Sequence, residues 1–420
     1  GTLTLSGDVY TGSAGDLEIV PDLSSDLSQQ LIGDADLSGG NVLGRWSRSS
    51  GNHGEFTAQI YYDRLSRKDV VHSETRDTFD VDFQHRFPVR SSHEFIWGAG
   101  YRFITDDLSG IVAFFPPKRR DHLVSAFLQD EIFFLKRKLR LTIGSKFEQN
   151  SYTGFEIQPN ARILWLPNRR HSFWAAVSRA VRTPARFEDN ARLDALAVRT
   201  PEGLPAISVL VGNPDAASEH LIAYEAGYRV QPRRDMNFDF AFFFNDYDDL
   251  RTFEPGNPSV IFTFPPHIEI PLRPDNQMTG HAYGVEIGTN WNPTGFWRLS
   301  GAYSYLHVQL ELEPGSNDAL SVTAEGDSPR HQFHVRSQME LPRNFEFDLA
   351  LYCVDELINQ NVPGYSRLDT RIGWVPRKDI ELSLVFQNLL DDRHPEFGNS
   401  PLVVSTQIQR SIYGKITVHF

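Results

Sequence analysis

The feature that most limits what this chain can fold into is a period of two in its apolar residues, repeated from end to end. The C-terminal stretch shows it well. In IELSLVFQNLL, from Ile380 to Leu390, Ile380, Leu382, Leu384 and Phe386 alternate with Glu381, Ser383, Val385 and Gln387. After DDRHPEFGNSPLVVS, Ile412, Ile416, Val418 and Phe420 fall on one parity, and Tyr413, Lys415, Thr417 and His419 on the other. Successive side chains of a strand point to opposite faces, so each run is a strand with one apolar and one wet face. The apolar face can be buried against a second sheet in a soluble sandwich or against lipid around a membrane barrel.

The connections decide between them. Tight turns read PVRSSH at 88–93, LKRK at 135–138, PNRR at 167–170, QPRR at 231–234, NPTG at 292–295, LPRN at 341–344 and VPRK at 375–378. Most combine Pro or Asn with a basic residue, and each separates two alternating runs, which is the hairpin signal. The other strand ends are joined by longer polar stretches, at 12–39, 67–75, 107–120, 185–216, 253–266, 313–328 and 391–404. Short turns at one end and long loops at the other are the organisation of an outer-membrane barrel. A sandwich gives no reason for that asymmetry. The spacing predicts about eighteen strands in an antiparallel meander.

The faces can be read strand by strand. Phe79, Val81, Phe83 and Phe87 oppose Asp80, Asp82, Gln84 and Arg86. Phe345, Phe347, Leu349 and Leu351 oppose Glu346, Asp348 and Tyr352, and Leu368, Thr370, Ile372 and Trp374 oppose Arg367, Asp369 and Arg371. An apolar face ending in Trp or Tyr predicts lipid contact bounded by aromatic girdles, with the charged face lining a wet interior. The expected fold is all-β, a transmembrane antiparallel up-and-down β-barrel that takes residues 1–420 as one domain. An unpaired backbone group in hydrocarbon costs several kcal/mol. Ser405 to Phe420 is therefore expected either to pair with Thr2 to Tyr10 or to be left as an open edge.

Composition removes other readings. No run of about 18 apolar residues exists, so no transmembrane helix is available. The formal charge of −13 argues against nucleic acid as a partner. The single cysteine, Cys353, permits no internal disulfide and reads as a small apolar filler in a strand. The chain opens GTLTLSGDVYTG, already in a strand and with neither Met nor a signal peptide, which predicts a portion of a longer protein. No GxSxG, HExxH, CxxC or P-loop occurs, so no catalytic residue, enzyme activity or cofactor is expected. The fourteen histidines show no metal-ligand spacing. His53, His72, His93, His122 and His171 fall at or near strand ends. Asp106-Asp107 and Asp391-Asp392 are acidic pairs that could hold a divalent ion, although acidic loop residues more often stay hydrated or bridge lipopolysaccharide.

Ligand contacts are therefore sought in the loops. Loop 185–216 carries Arg186, Phe187, Arg192 and Arg199. Basic groups there suit an anionic chelate and an aromatic ring suits stacking on it. The competing role for all four is to hold the loop together. Phe114 and Phe115, followed by Pro116-Pro117, form an apolar loop tip that serves either packing or contact. Tyr247 and Phe253 stand near the outer end of their strand.

Several segments resemble those of TonB-dependent outer-membrane receptors, in that family's order. They are SRAVRTPARFEDN at 178–190, GNPDAASEHLIAYEAGYRV at 212–230, FFFNDYDDL at 242–250, NQMTGHAYGVEIGTNWNP at 276–293, YSRLDTRIGW at 365–374 and VFQNLLDDRHPEFG at 385–398. The resemblance implies a 22-stranded barrel in a Gram-negative outer membrane, filled by an N-terminal plug, with about eighteen strands carried here. It implies lipid and lipopolysaccharide as surroundings, and Phe420 as a signal to the barrel-assembly machinery. Arg179 and Arg182 match the first segment, where interior-facing arginines have structural partners. No plug or TonB box is present in the sequence, so TonB is implied as a partner only through the missing plug. The cargo implied is a scarce bulky nutrient, most often in this family a ferric siderophore; cobalamin, haem, nickel chelates and glycans stay open. The rivals are a passive, plug-less 18-stranded porin and a surface for adhesion or phage attachment.

Overall fold

The computed structural model describes residues 1–23, 27–51, 54–398 and 405–419. In chain order the strands are β1 (Thr2–Pro21), β2 (Ser28–Ser49), β3 (Glu55–Lys68), β4 (His72–Val89), β5 (His93–Gly110), β6 (Ala113–Phe114), β7 (Lys118–Phe134) and β8 (Leu139–Asn150). Next come β9 (Gly154–Asn168), β10 (His171–Arg182), β11 (Ala191–Arg199), β12 (Pro205–Val211), β13 (Glu219–Arg233), β14 (Met236–Pro255), β15 (Ser259–Ile261) and β16 (His267–Thr294). The last are β17 (Trp297–Leu312), β18 (His331–Leu341), β19 (Phe345–Val354), β20 (Tyr365–Arg377), β21 (Ile380–Gln387), β22 (Arg393–Pro395), β23 (Gln407–Gln409) and β24 (Ser411–Val418). A five-residue helix, α1 (Arg186–Asn190), precedes β11.

The main sheet has 22 strands. Four of them, β6, β11, β12 and β15, lie in loops. The other eighteen form an antiparallel meander in which each wall strand pairs with the next, as the spacing predicts. All seven predicted tight turns fall between successive wall strands. Two of them, at Leu135–Arg137 and Pro342–Asn344, are single 3-10 turns with residues at positive φ.

The opposite ends differ from the sequence reading in three places. Most of the stretch 12–39 is ladder and not loop: residues 12–21 pair with 28–37, Gly12 opposite Leu37 and Leu17 opposite Ile32, and β1 and β2 run to 20 and 22 residues. A bilayer needs only about 9–11 strand residues. Beyond it both faces meet water, so the alternation fades while the backbone ladder continues. The stretch 67–75 contracts to a turn at 69–71, because Asp69 Oδ1 accepts from the Val71 and His72 amides at 3.1 and 2.6 Å. Likewise Asn150 Oδ1 accepts from the Tyr152 and Thr153 amides at 2.8 Å each, closing a tight turn on the loop side.

The two faces hold around the sheet. Register continues the apolar parity of β4 into Trp97 and Tyr101 of β5, and that of β19 into Leu368, Ile372 and Trp374 of β20. This is the lipid-facing surface. Six of the seven tryptophans, Trp46, Trp97, Trp165, Trp291, Trp297 and Trp374, stand on it close to the short turns. Tyr62, Tyr101, Tyr224, Tyr283, Tyr303 and Tyr305 stand on it nearer the loops. The girdles are therefore chemically different at the two ends. The opposite face carries charge, as where Arg371 bonds Glu346 at 2.7 Å, Asp348 at 3.2 Å and Glu381 at 2.5 Å.

The seventh tryptophan, Trp174, lies on the inner face. A Cβ built on Gly227 would meet its indole at 2.3 Å, so the ring needs a glycine beneath it. Phe243 rests on Gly284 in the same way, at 2.6 Å. Arg179 corrects an expectation. It is opposite Ile222, on the parity of Phe173 and Val177, so its register is that of the outer face, yet it has structural partners as expected: its guanidinium bonds the Ile157 carbonyl and lies 4.0 Å from the Glu156 carboxylate.

Among the described residues β1 is paired along one side, with β2, and β24 along one side, with β21. Phe420 lies outside the described residues, as does His53.

Candidate ligand-binding crown

At the loop end the chain between β10 and β13 folds back on the wall. It runs through α1 into the β11–β12 hairpin. β11 pairs with β6, Ala191 opposite Phe114, and β12 runs parallel to the outer end of β16, from Ala206 opposite Ile268 to Leu210 opposite Leu272. A parallel pairing joins segments distant in sequence, so no local pattern announces it. Val209 and Thr252 are fully buried beneath this crown, with Ala206 and Ile207 nearly so. Leu108, Phe114 and Ala191 form a small core with Val112 and Phe187 against it.

The crown is fastened chiefly by ion pairs that converge on α1. Arg186 is buried. Its Nε lies 3.0 Å from Asp106, its Nη2 donates to the Pro116 carbonyl at 2.7 Å, its Nη1 donates to Asn190 Oδ1 at 3.1 Å, and its guanidinium sits over the Phe114 ring. Glu188 is buried too. It accepts from the Ala185 amide at 2.7 Å, from Arg182 at 2.6 Å and from Arg251. Asp189 pairs with Arg119, which also donates to Asp121 at 2.8 Å and stacks on Tyr152. Three acids, Asp106, Glu188 and Asp189, and four arginines, Arg119, Arg182, Arg186 and Arg251, thereby tie one helical turn to β5, β7, β10 and β14. Buried charges are tolerated only when paired in this manner.

The proton equilibria follow. Burial works against the Glu188 carboxylate but is outweighed by the Ala185 amide and the two arginines, so its pKa is lowered. At Asp106 burial dominates over the attraction of Arg186, and the pKa is raised. Burial and the Asp121 charge push the Tyr152 phenol up. A second fastening joins loop 313–330 to β14, where the Phe253 amide donates to Asp318 at 2.6 Å, and Glu254 accepts from Ser316 at 2.6 Å and the Asn317 amide at 2.8 Å.

Residues 6–389 match the family described as TonB dependent receptor-like, beta-barrel. The chain belongs to that family. Solved structures share the fold. The siderophore receptor PirA from Pseudomonas aeruginosa aligns over 99% of this chain and 67% of its own, with 14% identity and a TM-score of 0.67. PirA from Acinetobacter baumannii aligns over 100% and 71%, with 13% identity and a TM-score of 0.73. The FrpB iron transporter from Neisseria meningitidis (F3-3 variant) aligns over 99% and 69%, with 12% identity and a TM-score of 0.71. At such identities the likeness is one of architecture. This receptor barrel is a transport protein and not an enzyme.

In the receptor barrel the loop residues singled out by sequence divide into two groups. Arg186, Phe114 and Phe187 come together in the crown's interior. Arg192 pairs with Glu269 of β16 at 2.8 Å. Arg199 is exposed and donates to the Gly203 carbonyl. Phe115 stands 65% exposed beside its buried neighbour. Tyr247 and Phe253 are half-buried, Phe253 under the Arg251 guanidinium. Asp106 and Asp107 do not act together, because neighbours on a strand face opposite ways: Asp106 meets Arg186, and Asp107 meets Lys118 at 3.0 Å on the outer face. Asp392 is taken by Arg410 at 2.9 Å.

Sequence reasoning missed Phe262 and Phe264, 86% and 96% exposed in the loop between β15 and β16. The signal was present in SVIFTFPP, where aromatic residues lie inside a loop with no core to fill. It also missed the carboxylates that neutralise the crown's arginines, since Asp106, Glu188 and Glu219 are far apart in the chain.

Proposed function

We propose that this barrel is the membrane part of a Gram-negative outer-membrane receptor that takes up a scarce bulky nutrient, best fitted by a ferric siderophore. The observation carrying the reading is a crown locked by buried ion pairs that nevertheless leaves Phe115, Phe262 and Phe264 bare at its surface. Large exposed aromatic groups on a fixed scaffold suit a bulky ligand with its own rings or apolar faces, and Arg199 adds an exposed cation to the same crown. Arg186, Phe114 and Phe187 position this surface. The names of the similar structures, siderophore receptors and an iron transporter, support iron chelates as the cargo class. Energised uptake on this reading runs through a plug that engages TonB, in addition to residues 1–420. Phe420 serves the barrel-assembly machinery.

The test is growth of a strain lacking the parent gene on single iron-chelate sources, followed by binding to the purified receptor. Loss of growth on one chelate is expected, with Phe262→Ala/Phe264→Ala weakening its binding about tenfold, roughly 1.4 kcal/mol. Undiminished growth on every chelate tried removes the iron assignment.

A further inference from the structure

The short-turn end of the barrel is not uniform in charge. Three successive turns carry Lys136, Arg137 and Lys138, then Arg169 and Arg170, then Arg233 and Arg234, whereas NPTG at 292–295 carries no charge. These turns are fixed to one another. Lys138 Nζ donates to the Pro167 carbonyl at 3.2 Å, and the Gln231 amide donates to the Arg170 carbonyl at 2.8 Å. The Arg137 guanidinium lies 4.1 Å from the centre of the Phe133 ring, and the register of Phe133 is that of the inner face.

Between these turns is a cleft of about 620 Å³, lined by Arg137, Lys138, Arg169, Arg170 and Arg229 and, among the described residues, by no carboxylate. Its sheet residues Ser172, Arg229 and Asn237 share the parity of Trp174, so the cleft opens on the lumen and not on lipid. Arg229 is neutralised by Asp239. Arg137, Lys138, Arg169 and Arg170 are exposed, and none has a carboxylate partner among the described residues. Elsewhere the cations are matched. In the crown Arg119, Arg182, Arg186, Arg192 and Arg251 each have a carboxylate. Further round the same mouth, a second cleft sets Arg298, Arg336 and Arg371 against Glu340, Glu346 and Asp348. The surplus of cations is therefore local, on a chain whose total is −13.

We propose that this cleft is an exit subsite, which takes an anionic chelate as it leaves the lumen at the short-turn end. Guanidinium groups donate in a planar fork that suits carboxylate oxygens, and several unmatched charges together suit a polyanion. A concave space of this size holds a drug-sized molecule rather than the surface of a protein. The crown's cations are neutralised and the mouth's are not, so the potential along this wall favours movement of an anion from the loop end to the short-turn end. The inference rests on the uptake reading above and adds to it the sign of the cargo's charge.

The detergent-purified full receptor would be treated with an arginine-specific dicarbonyl reagent and the modified residues read by mass spectrometry. The probes are an anionic ferric tris-catecholate, a neutral ferric tris-hydroxamate and iron-free citrate. Without a probe, Arg137, Arg169 and Arg170 should all be labelled. Saturating tris-catecholate should slow their labelling about tenfold, the neutral complex should not, and Arg90 and Arg343 on other short turns should react at the same rate throughout. In Arg169→Gln/Arg170→Gln the protection of Arg137 should be lost, and in Arg169→Lys/Arg170→Lys it should be kept. Heat-modified gel mobility reports whether each variant is folded, and Arg170→Gln alone serves if the double variant is not. Protection by both anions in a receptor that supports growth on no iron chelate would fault the iron reading and keep the anion site. Protection by citrate alone would assign the cleft to a free anion and overturn the exit role. Equal protection by the neutral complex, equal protection of Arg90 and Arg343, or no protection by either anion overturns the proposal.

Discussion

Glu188 shows how much one residue can hold. It sits on a single helical turn, and its two oxygens take three donors from β10, β14 and the α1 entrance. Because its folded pKa is lowered, its contribution to stability is complete above the ordinary value of 4.5 and is lost as pH falls through the lowered folded value. Asp106 runs the other way, since burial already favours its protonated form. Acidification below pH 4.5 is therefore expected to loosen α1 at Glu188 and not at Asp106. Peptic cleavage within β11–β12 should rise as pH is lowered below the ordinary value of 4.5 and through the lowered folded value. In Glu188→Gln the hairpin should already be cleaved at about pH 5 and change little below it, because the titrating group is gone. Identical pH profiles for wild type and variant would show that the latch lies elsewhere.

Among the elements, the wall strands obey a rule strict enough to test at neighbouring positions. Leu349 lies on the outer parity and Ala350 on the inner, beside Asp369 and Arg336. Leu349→Arg should cost about 2–4 kcal/mol on folding into lipid vesicles, followed by urea titration, while Ala350→Arg costs far less. Equal costs would mean that the outer face does not meet hydrocarbon. This rule is also why the wall was legible in the sequence. Water on one side and lipid on the other write a period of two into every strand, and the turns PNRR and VPRK punctuate it. The rule lapses once both faces are wet, which hid the outer halves of β1 and β2. It never applied to the crown. Arg186 finds Asp106 and Arg251 finds Glu188 across long stretches of chain, so the sequence offered arginines in a loop without the acids that occupy them. Phe114 and Phe115 show the same limit at closest range: adjacent and chemically identical, one is in the crown's core and the other is in solvent.

At the scale of the whole molecule the polarity of the barrel is written in its aromatic residues. Six tryptophans mark the short-turn rim, joined there by Tyr228, and the other outer-face tyrosines stand nearer the loops, where an amphipathic ring gains from an apolar body and a wet edge. Each end strand, β1 and β24, has one sheet partner among the described residues, and the cost of bare backbone in hydrocarbon means that both outer edges are covered in a bilayer. Depth-dependent quenching of tryptophan fluorescence reads this orientation directly. Single-tryptophan variants keeping Trp97 or Trp374, with the others changed to Phe, should be quenched strongly by lipids labelled near the headgroup and weakly by lipids labelled at the chain terminus. A variant keeping Trp174, packed over Gly227 on the inner face, should escape both labels yet respond to aqueous iodide that enters the lumen. The contrast tests the facing of the strands. A sheet turned inside out would expose Trp174 to the lipid labels as fully as is expected of Trp97, and that outcome would refute the assignment of the two faces.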